Sequence, residues 1–196
     1  MIKQQLYPKT SRVEISQFTI TEKLDGSNLS VFKIDDMLYF ATRKIIFTEN
    51  ELNEIEVKGL KRFISDNIEQ LRGIRNNSCI IGEFIGNGRL KYNFDKRFFM
   101  FAKANVEKNN DIFLMKNINY GREFFTYSFI EEKIPDCIDL VPFVGQYNEI
   151  DLDVIYDEYT KKVNRNVEGL IIINGRYNIQ KYVRMKDGKL TEHFVS

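Results

Sequence analysis

The residues with the strongest claim to chemistry lie in the segment Glu22-Lys23-Leu24-Asp25-Gly26-Ser27-Asn28. A lysine that closes an apolar strand and runs straight into a glycine turn is held at the edge of a cleft with little freedom. Its amine is a nucleophile only without its extra proton, so a reactive lysine needs desolvation or neighbouring cations to favour the neutral form. Gly26, with no Cβ, lets the backbone come close to a phosphate or a sugar. Farther along the chain, Glu83 follows an apolar run and would be costly to bury without a partner. Glu168 stands at the start of a second apolar run. Arg184 and Lys186 are two apart, which puts them on one face of a strand while Val183 and Met185 face the core. Arg43 ends another strand. Each of these also has an ordinary structural reading, as an exposed lysine beside a turn, a strand-end arginine or the polar face of a half-exposed strand. Their order and spacing carry the functional reading.

The elements that must position these groups can be read from periodicity. Residues 18–22 and 29–33 form strands around the turn-prone Asp25-Gly26-Ser27-Asn28, and residues 37–43 form a third strand after the hairpin turn Asp35-Asp36. Residues 49–72 turn helical, with Val57, Leu60, Ile64, Ile68 and Leu71 on one face. Residues 78–84 and 97–103 are apolar, β-branched or aromatic enough for buried strands, and 112–115 suit an edge strand. Residues 120–133 and 150–162 read as helices, with Pro135 and Pro142 punctuating the connection between them. The chain returns to strands over 169–173 and 177–185. The fold class expected is α+β, with antiparallel sheets flanked by helices.

Composition narrows the options. A chain of 196 residues without internal repeat or low-complexity linker is expected to be a single domain, residues 1–196. No apolar run reaches membrane-spanning length and the opening MIKQQLYPKT lacks a hydrophobic signal core, so no membrane partner and a cytoplasmic location are expected. Cys79 and Cys137 lie far apart, and His193 is the only histidine. A structural zinc site and Ser-His-Asp or Cys-His catalysis are therefore excluded as readings. The net charge of +1 neither proposes nor forbids a nucleic-acid partner, because a local basic stripe can sit on a neutral protein.

Taken together and in order, these segments resemble the motifs of the covalent nucleotidyltransferases: ATP-dependent DNA ligases, RNA ligases and mRNA capping guanylyltransferases. Lys23-Leu24-Asp25-Gly26 resembles the nucleophile motif, and Ile81-Gly82-Glu83-Phe84-Ile85-Gly86 resembles the motif whose glutamate binds a ribose hydroxyl. Phe98-Phe99-Met100-Phe101 resembles the aromatic motif that stacks on the purine, with Phe101 at the stacking position. Val167-Glu168-Gly169-Leu170-Ile171-Ile172 and Tyr182-Val183-Arg184-Met185-Lys186 resemble the last two motifs. The resemblance implies an ATP-grasp-like adenylation fold, with Lys23, Glu168, Arg184 and Lys186 at the reacting phosphate. It implies that Glu22, Asn28, Arg43, Glu83 and Phe101 bind the nucleotide, that ATP and Mg²⁺ (or Mn²⁺) are used, and that Glu168 approaches the metal, directly or through water.

Asn28 selects a branch. DNA ligases and capping enzymes usually carry arginine five residues after the lysine, whereas phage-type RNA ligases carry asparagine. The run Gly82-Glu83-Phe84-Ile85-Gly86-Asn87-Gly88 and the segment Leu140-Val141-Pro142-Phe143-Val144-Gly145 also resemble nick-sealing RNA ligases of the phage double-strand and kinetoplastid editing kind. The partner implied is RNA, as a nicked duplex or free ends. Lys91, Lys96 and Arg97 could add to a strand-binding surface, although solvated charge is the simpler reading. Two departures stand out: Arg184 replaces the usual first lysine of the last motif, and Ala102 stands where an aspartate often follows the aromatics. The given sequence runs about ten residues past Lys186. The expectation is therefore a domain without an OB-fold extension, with a separate partner chain as one source of the missing part. The rival readings are a DNA ligase adenylylation domain, a guanylyltransferase and a nucleic-acid binding module that has lost turnover.

Overall fold

Alternating and β-branched runs build two sheets, and the two amphipathic stretches each cover one of them. The computed structural model describes residues 17–110, 112–120, 134–174, 178–186 and 189–195; for residue 186 and residues 189–195 the backbone alone is described. The strands, in chain order, are β1 (Phe18–Lys23), β2 (Ser27–Ile34), β3 (Met37–Ala41), β4 (Ile46–Thr48), β5 (Ser78–Phe84) and β6 (Phe98–Asn109). They continue as β7 (Ile112–Tyr120), β8 (Ile138–Leu140), β9 (Phe143–Tyr147), β10 (Gly169–Asn174), β11 (Asn178–Lys186) and β12 (Lys189–Val195). The helices are α1 (Leu60–Arg72) and α2 (Leu152–Val163).

A five-stranded antiparallel sheet has the order β12-β11-β10-β1-β9, and a seven-stranded sheet has the order β4-β3-β2-β5-β6-β7, with β8 running parallel beside β6. The α+β expectation with antiparallel sheets matches this architecture. The β2–β3 turn takes Asp35 and Asp36 at φ 51° and 61°, the doubly left-handed form whose twist suits a tight hairpin. The helix expected over 49–72 is broken in two. A 3₁₀ segment, Glu49–Glu54, starts at Thr48, whose N–H donates to Glu51 Oε2 at 2.8 Å. The chain then leaves helical geometry and re-enters at Gly59, at φ 80°, before α1 begins. The helix read over 120–133 begins on Tyr120, which ends β7, and otherwise lies outside the described residues. Short strands such as β4, β8 and β9 carry too little periodicity to be read in advance.

Three apolar layers result. The α1 residues Leu60, Phe63, Ile64 and Leu71 pack on Val31, Phe40 and Phe98 of the seven-stranded sheet. On its other face lie Phe32, Cys79, Ile81, Ala102 and Val106. The α2 residues Ile155, Tyr156 and Tyr159 pack on Ile20, Leu170, Ile172 and Tyr182 of the five-stranded sheet. Leu24, Ile85, Phe99 and Val141 form a smaller cluster that joins the turn after β1 to the second sheet.

Gly169 is where the five-stranded sheet is tightest. It pairs with Lys23 on one side and Val183 on the other, and a Cβ there would sit 2.0 Å from the carbonyl oxygen of Tyr182. The clash is with backbone, so relief requires the strands to part. Gly169→Ala is expected to lower unfolding free energy by roughly 2–3 kcal/mol in urea denaturation.

Candidate active site

Strand β1 sends alternate side chains to opposite faces, and this decides what surrounds the lysine. Thr21 and Lys23 face a cavity of about 440 Å³ between the two sheets. Its apolar end is made by Ile81, Phe101 and Tyr120 from the seven-stranded sheet and Ile171 and Ile173 from β10. The Phe101 and Tyr120 rings are parallel within 4°, their centroids 6.5 Å apart. Its polar end gathers Lys23, Asn28, Arg43 and Glu83. These four also border an adjoining cavity of about 660 Å³ that extends past Glu168, Lys44 and Glu56. A flat apolar slot opening on a charged end suits a purine joined to phosphates.

Lys23 Nζ lies 2.5 Å from Glu168 Oε1, with both side chains about four-fifths shielded from solvent. The pairing follows from the sheet register. Lys23 is opposite Gly169, so the preceding residue, Glu168, arrives at the lysine from the entry to β10. Burial raises the Glu168 carboxyl above its ordinary range, and the hydrogen bond and charge of Lys23 oppose that rise. Its second oxygen is buried with no hydrogen-bond partner among the described residues. Asn28 and Glu83 are cross-strand partners on β2 and β5. Burial pushes the Glu83 carboxyl up to about 7, moderated by the charges of Lys23 and Arg43. Near neutral pH this group can donate or accept a hydrogen bond, which suits a sugar hydroxyl.

Several expected residues are elsewhere. Glu22 borders the cavity, but its carboxylate turns to the opposite face of β1 and is 1% exposed. It accepts from the Tyr159 hydroxyl at 2.7 Å and from both terminal nitrogens of Arg165 at 2.6 and 2.5 Å, so it is committed behind the strand. Arg184 is also not brought to Lys23. Its guanidinium pairs with Asp153 of α2, donates to the Tyr182 hydroxyl at 3.1 Å and lies 5.5 Å from the Tyr156 ring centroid. The physical reason is that the core-facing residue of β11 is Tyr182, 2% exposed, which places Arg184 on the α2 side with it. A bulge follows: the N–H groups of Arg184 and Met185 both donate to the Glu168 carbonyl, at 3.0 and 2.9 Å. The Lys186 side chain lies outside the described residues. Gly26 does serve a close approach, but to protein: a Cβ there would sit 2.3 Å from the Phe84 carbonyl oxygen. Lys96 donates to the Ile138 carbonyl at 3.0 Å and fastens a loop.

The sequence reading missed Lys181, which lines the cavity beside Ile171, its partner on β10. Alternation counted from Tyr182 as the buried residue would have found it. It also missed Arg165 and Tyr92, for which no local signal exists.

With this geometry in view, comparison with known proteins is informative. The RNA ligase family profile matches residues 16–186, and the chain belongs to that family. No curated protein matches the chain. Among solved structures the fold is similar to that of an RNA ligase from Naegleria gruberi. One of its point variants, with ATP and Mn, superposes with a TM-score of 0.56 at 20% identity, covering 85% of this chain and 48% of that one. A second variant with ATP and Mn gives 0.57 at 18% identity, covering 85% and 49%, and a third with AMP and Mn gives 0.55 at 20%, with the same coverage. The likeness is one of fold, and the chain spans about half the length of those ligase chains.

The elevated Glu83 carboxyl has a thermodynamic consequence. A group that holds its proton more tightly when folded contributes stability below its unfolded value near 4.5, and this is lost as pH rises through about 7. Glu83→Gln removes that loss. The variant is expected to be about 2 kcal/mol more stable than wild type at pH 8 and equal to it at pH 4 in urea titrations.

Proposed function

We propose that the chain is the adenylyltransferase part of an ATP-dependent RNA ligase that works through a covalent AMP on Lys23. The observation that carries this reading is the Lys23–Glu168 pair, 2.5 Å apart at the meeting point of a flat apolar slot and a charged end. Family membership and the fold shared with a ligase solved with ATP, AMP and Mn support it. Adenine lies in the slot against Phe101, and Glu83, Asn28 and Arg43 take the ribose and phosphates.

In the first step the neutral Lys23 amine attacks the α-phosphorus. A P–N bond forms, the bond to the β-phosphate oxygen breaks and pyrophosphate leaves. The departing amine proton has an acceptor in Glu168 Oε1. In the second step an oxygen of an RNA 5′-phosphate attacks the same phosphorus, and Lys23 leaves and regains a proton. In the third step a 3′-hydroxyl attacks the 5′-phosphorus, forming the phosphodiester and expelling AMP. Dividing the reaction in this way gives the 5′-phosphate a good leaving group.

A divalent cation, Mg²⁺ or Mn²⁺, would offset the charge of the phosphates. The unpartnered buried oxygen of Glu168 suits an ion or its water, while no group of three or more metal-ligating side chains exists among the described residues. Arg43 supplies fixed positive charge in the cavity, with Lys181 at its edge. Lys186 follows the bulge at the end of β11, and its cation is assigned to the α-phosphate. Arg184 reaches the reacting phosphate only by leaving Asp153. Asn28 supports a reading as a nick-sealing RNA ligase, in which nicked duplex RNA is the favoured substrate and a separate chain or domain supplies any further RNA contacts.

Incubation with α-labelled ATP and Mg²⁺ or Mn²⁺ is expected to label the protein through an acid-labile bond at Lys23. Lys23→Ala is expected to abolish the label, and Glu168→Ala to slow it by about a hundredfold. GTP should not replace ATP, and pre-adenylylated nicks in RNA should be sealed faster than those in DNA. A folded wild-type protein that stays unlabelled with every metal and nucleotide would overturn the reading.

A further inference from the structure

The segment carrying Lys23 is tied down on either side of the lysine, at Glu22, Leu24 and Asp25. The Glu22 N–H donates to the Pro142 carbonyl at 2.9 Å, and Leu24 is 4% exposed against Ile85, Phe99 and Val141. The Asp25 N–H donates to the Tyr92 hydroxyl at 2.7 Å, while its carboxylate accepts from the N–H groups of Arg89 and Leu90 at 2.6 and 2.8 Å. Arg165 stands at the centre of these ties. Its fork closes on Glu22 at 2.5 and 2.6 Å, and its guanidinium carbon lies 4.9 and 5.2 Å from the ring centroids of Phe94 and Tyr92. Phe94 and Tyr92 are stacked, 9° from parallel.

Arg165 therefore joins three separate pieces: β1, the connection between β5 and β6, and the connection from α2 to β10. Both partners of the site hang on this joint. Glu22 is one residue before Lys23, and Arg165 is three residues before Glu168. Charge compensation alone does not require such a joint, since a buried ion pair is often replaced by apolar residues with little loss of stability. The planar fork adds direction, because two parallel hydrogen bonds and a stacked face leave the guanidinium one orientation.

We propose that Arg165 is the positioning residue of this site, holding Lys23 and Glu168 in register by clamping Glu22 behind the strand against Tyr92 and Phe94. The proposal rests on Lys23 being the nucleophile. Arg165 touches neither nucleotide nor RNA in this reading, and its effect falls on geometry at the reacting amine.

The test compares wild type with Arg165→Met and with the double variant Glu22→Gln/Arg165→Met, which removes the unpaired buried carboxylate and keeps the chain folded. In single-turnover labelling with ATP and Mn²⁺, both variants are expected to lose about thirtyfold in the rate constant at saturating ATP. The ATP concentration at half-saturation should stay within about twofold of wild type. Hydrogen exchange should accelerate in the peptide spanning residues 20–26 and stay unchanged in α1, whereas global destabilisation would speed both. A double variant that reacts at the wild-type rate would overturn the proposal, since Arg165 would then serve charge balance alone. Equal acceleration of exchange in both peptides would overturn it as well. The exchange measurement needs no ATP, so a wild-type chain that takes no label would count against Lys23 as nucleophile while exchange still decides whether Arg165 secures the segment.

Discussion

One constraint underlies the site: consecutive side chains of a strand point to opposite faces. At the end of β1 this sends Lys23 into the cavity and Glu22 into the layer beneath it. The front sets a lysine beside a carboxylate, 2.5 Å apart. The back carries a fully buried carboxylate, which would destabilise the fold by several kcal/mol if left alone. Arg165 and Tyr159 supply the missing donors. Burial holds the Tyr159 hydroxyl in its protonated, donating form, and the negative charge of Glu22 reinforces this.

The cavity itself is an electrostatic compromise. Burial, and then the charges of Glu168 and Asp25, raise the proton affinity of Glu83, while Lys23 and Arg43 lower it; burial and Asp25 likewise raise that of Glu168. On the proposed function such repulsion is relieved when phosphates and their counter-ion bind and change the local charge. The Glu168 oxygen that lacks a donor among the described residues fits the same picture, since a buried acceptor is costly unless something completes it. Leu24, Ile85, Phe99 and Val141 pack together beside this region. The cleft thus borders a small apolar seam, with larger cores behind each sheet.

Much of this was legible in advance. The strand bearing the lysine was readable from its alternation and β-branched residues, those bearing Glu83 and the aromatic run from their apolar runs, and β5 was read to the residue. Lys23, Asn28, Arg43 and Glu83, named from motif order, line both of the adjoining cavities, with Phe101 on one and Glu168 on the other. The failures share a cause. Arg184 was assigned a face by alternation anchored on Val183, while the residue that packs on α2 is Tyr182. Gly26 was assigned to a ligand because a sequence does not say which backbone, here that of Phe84, comes near a glycine.

The sequence by itself determined the strand periods, the hairpin turn at Asp35-Asp36 and the charged and aromatic groups offered as candidates for a site, because these are local patterns of residue type. Only the tertiary structure decided which face each charge takes, that Glu22 is sealed behind Lys23, and that Arg165 reaches it from 143 residues away. Those outcomes depend on sheet register and on contacts between distant segments, and no local propensity encodes either one.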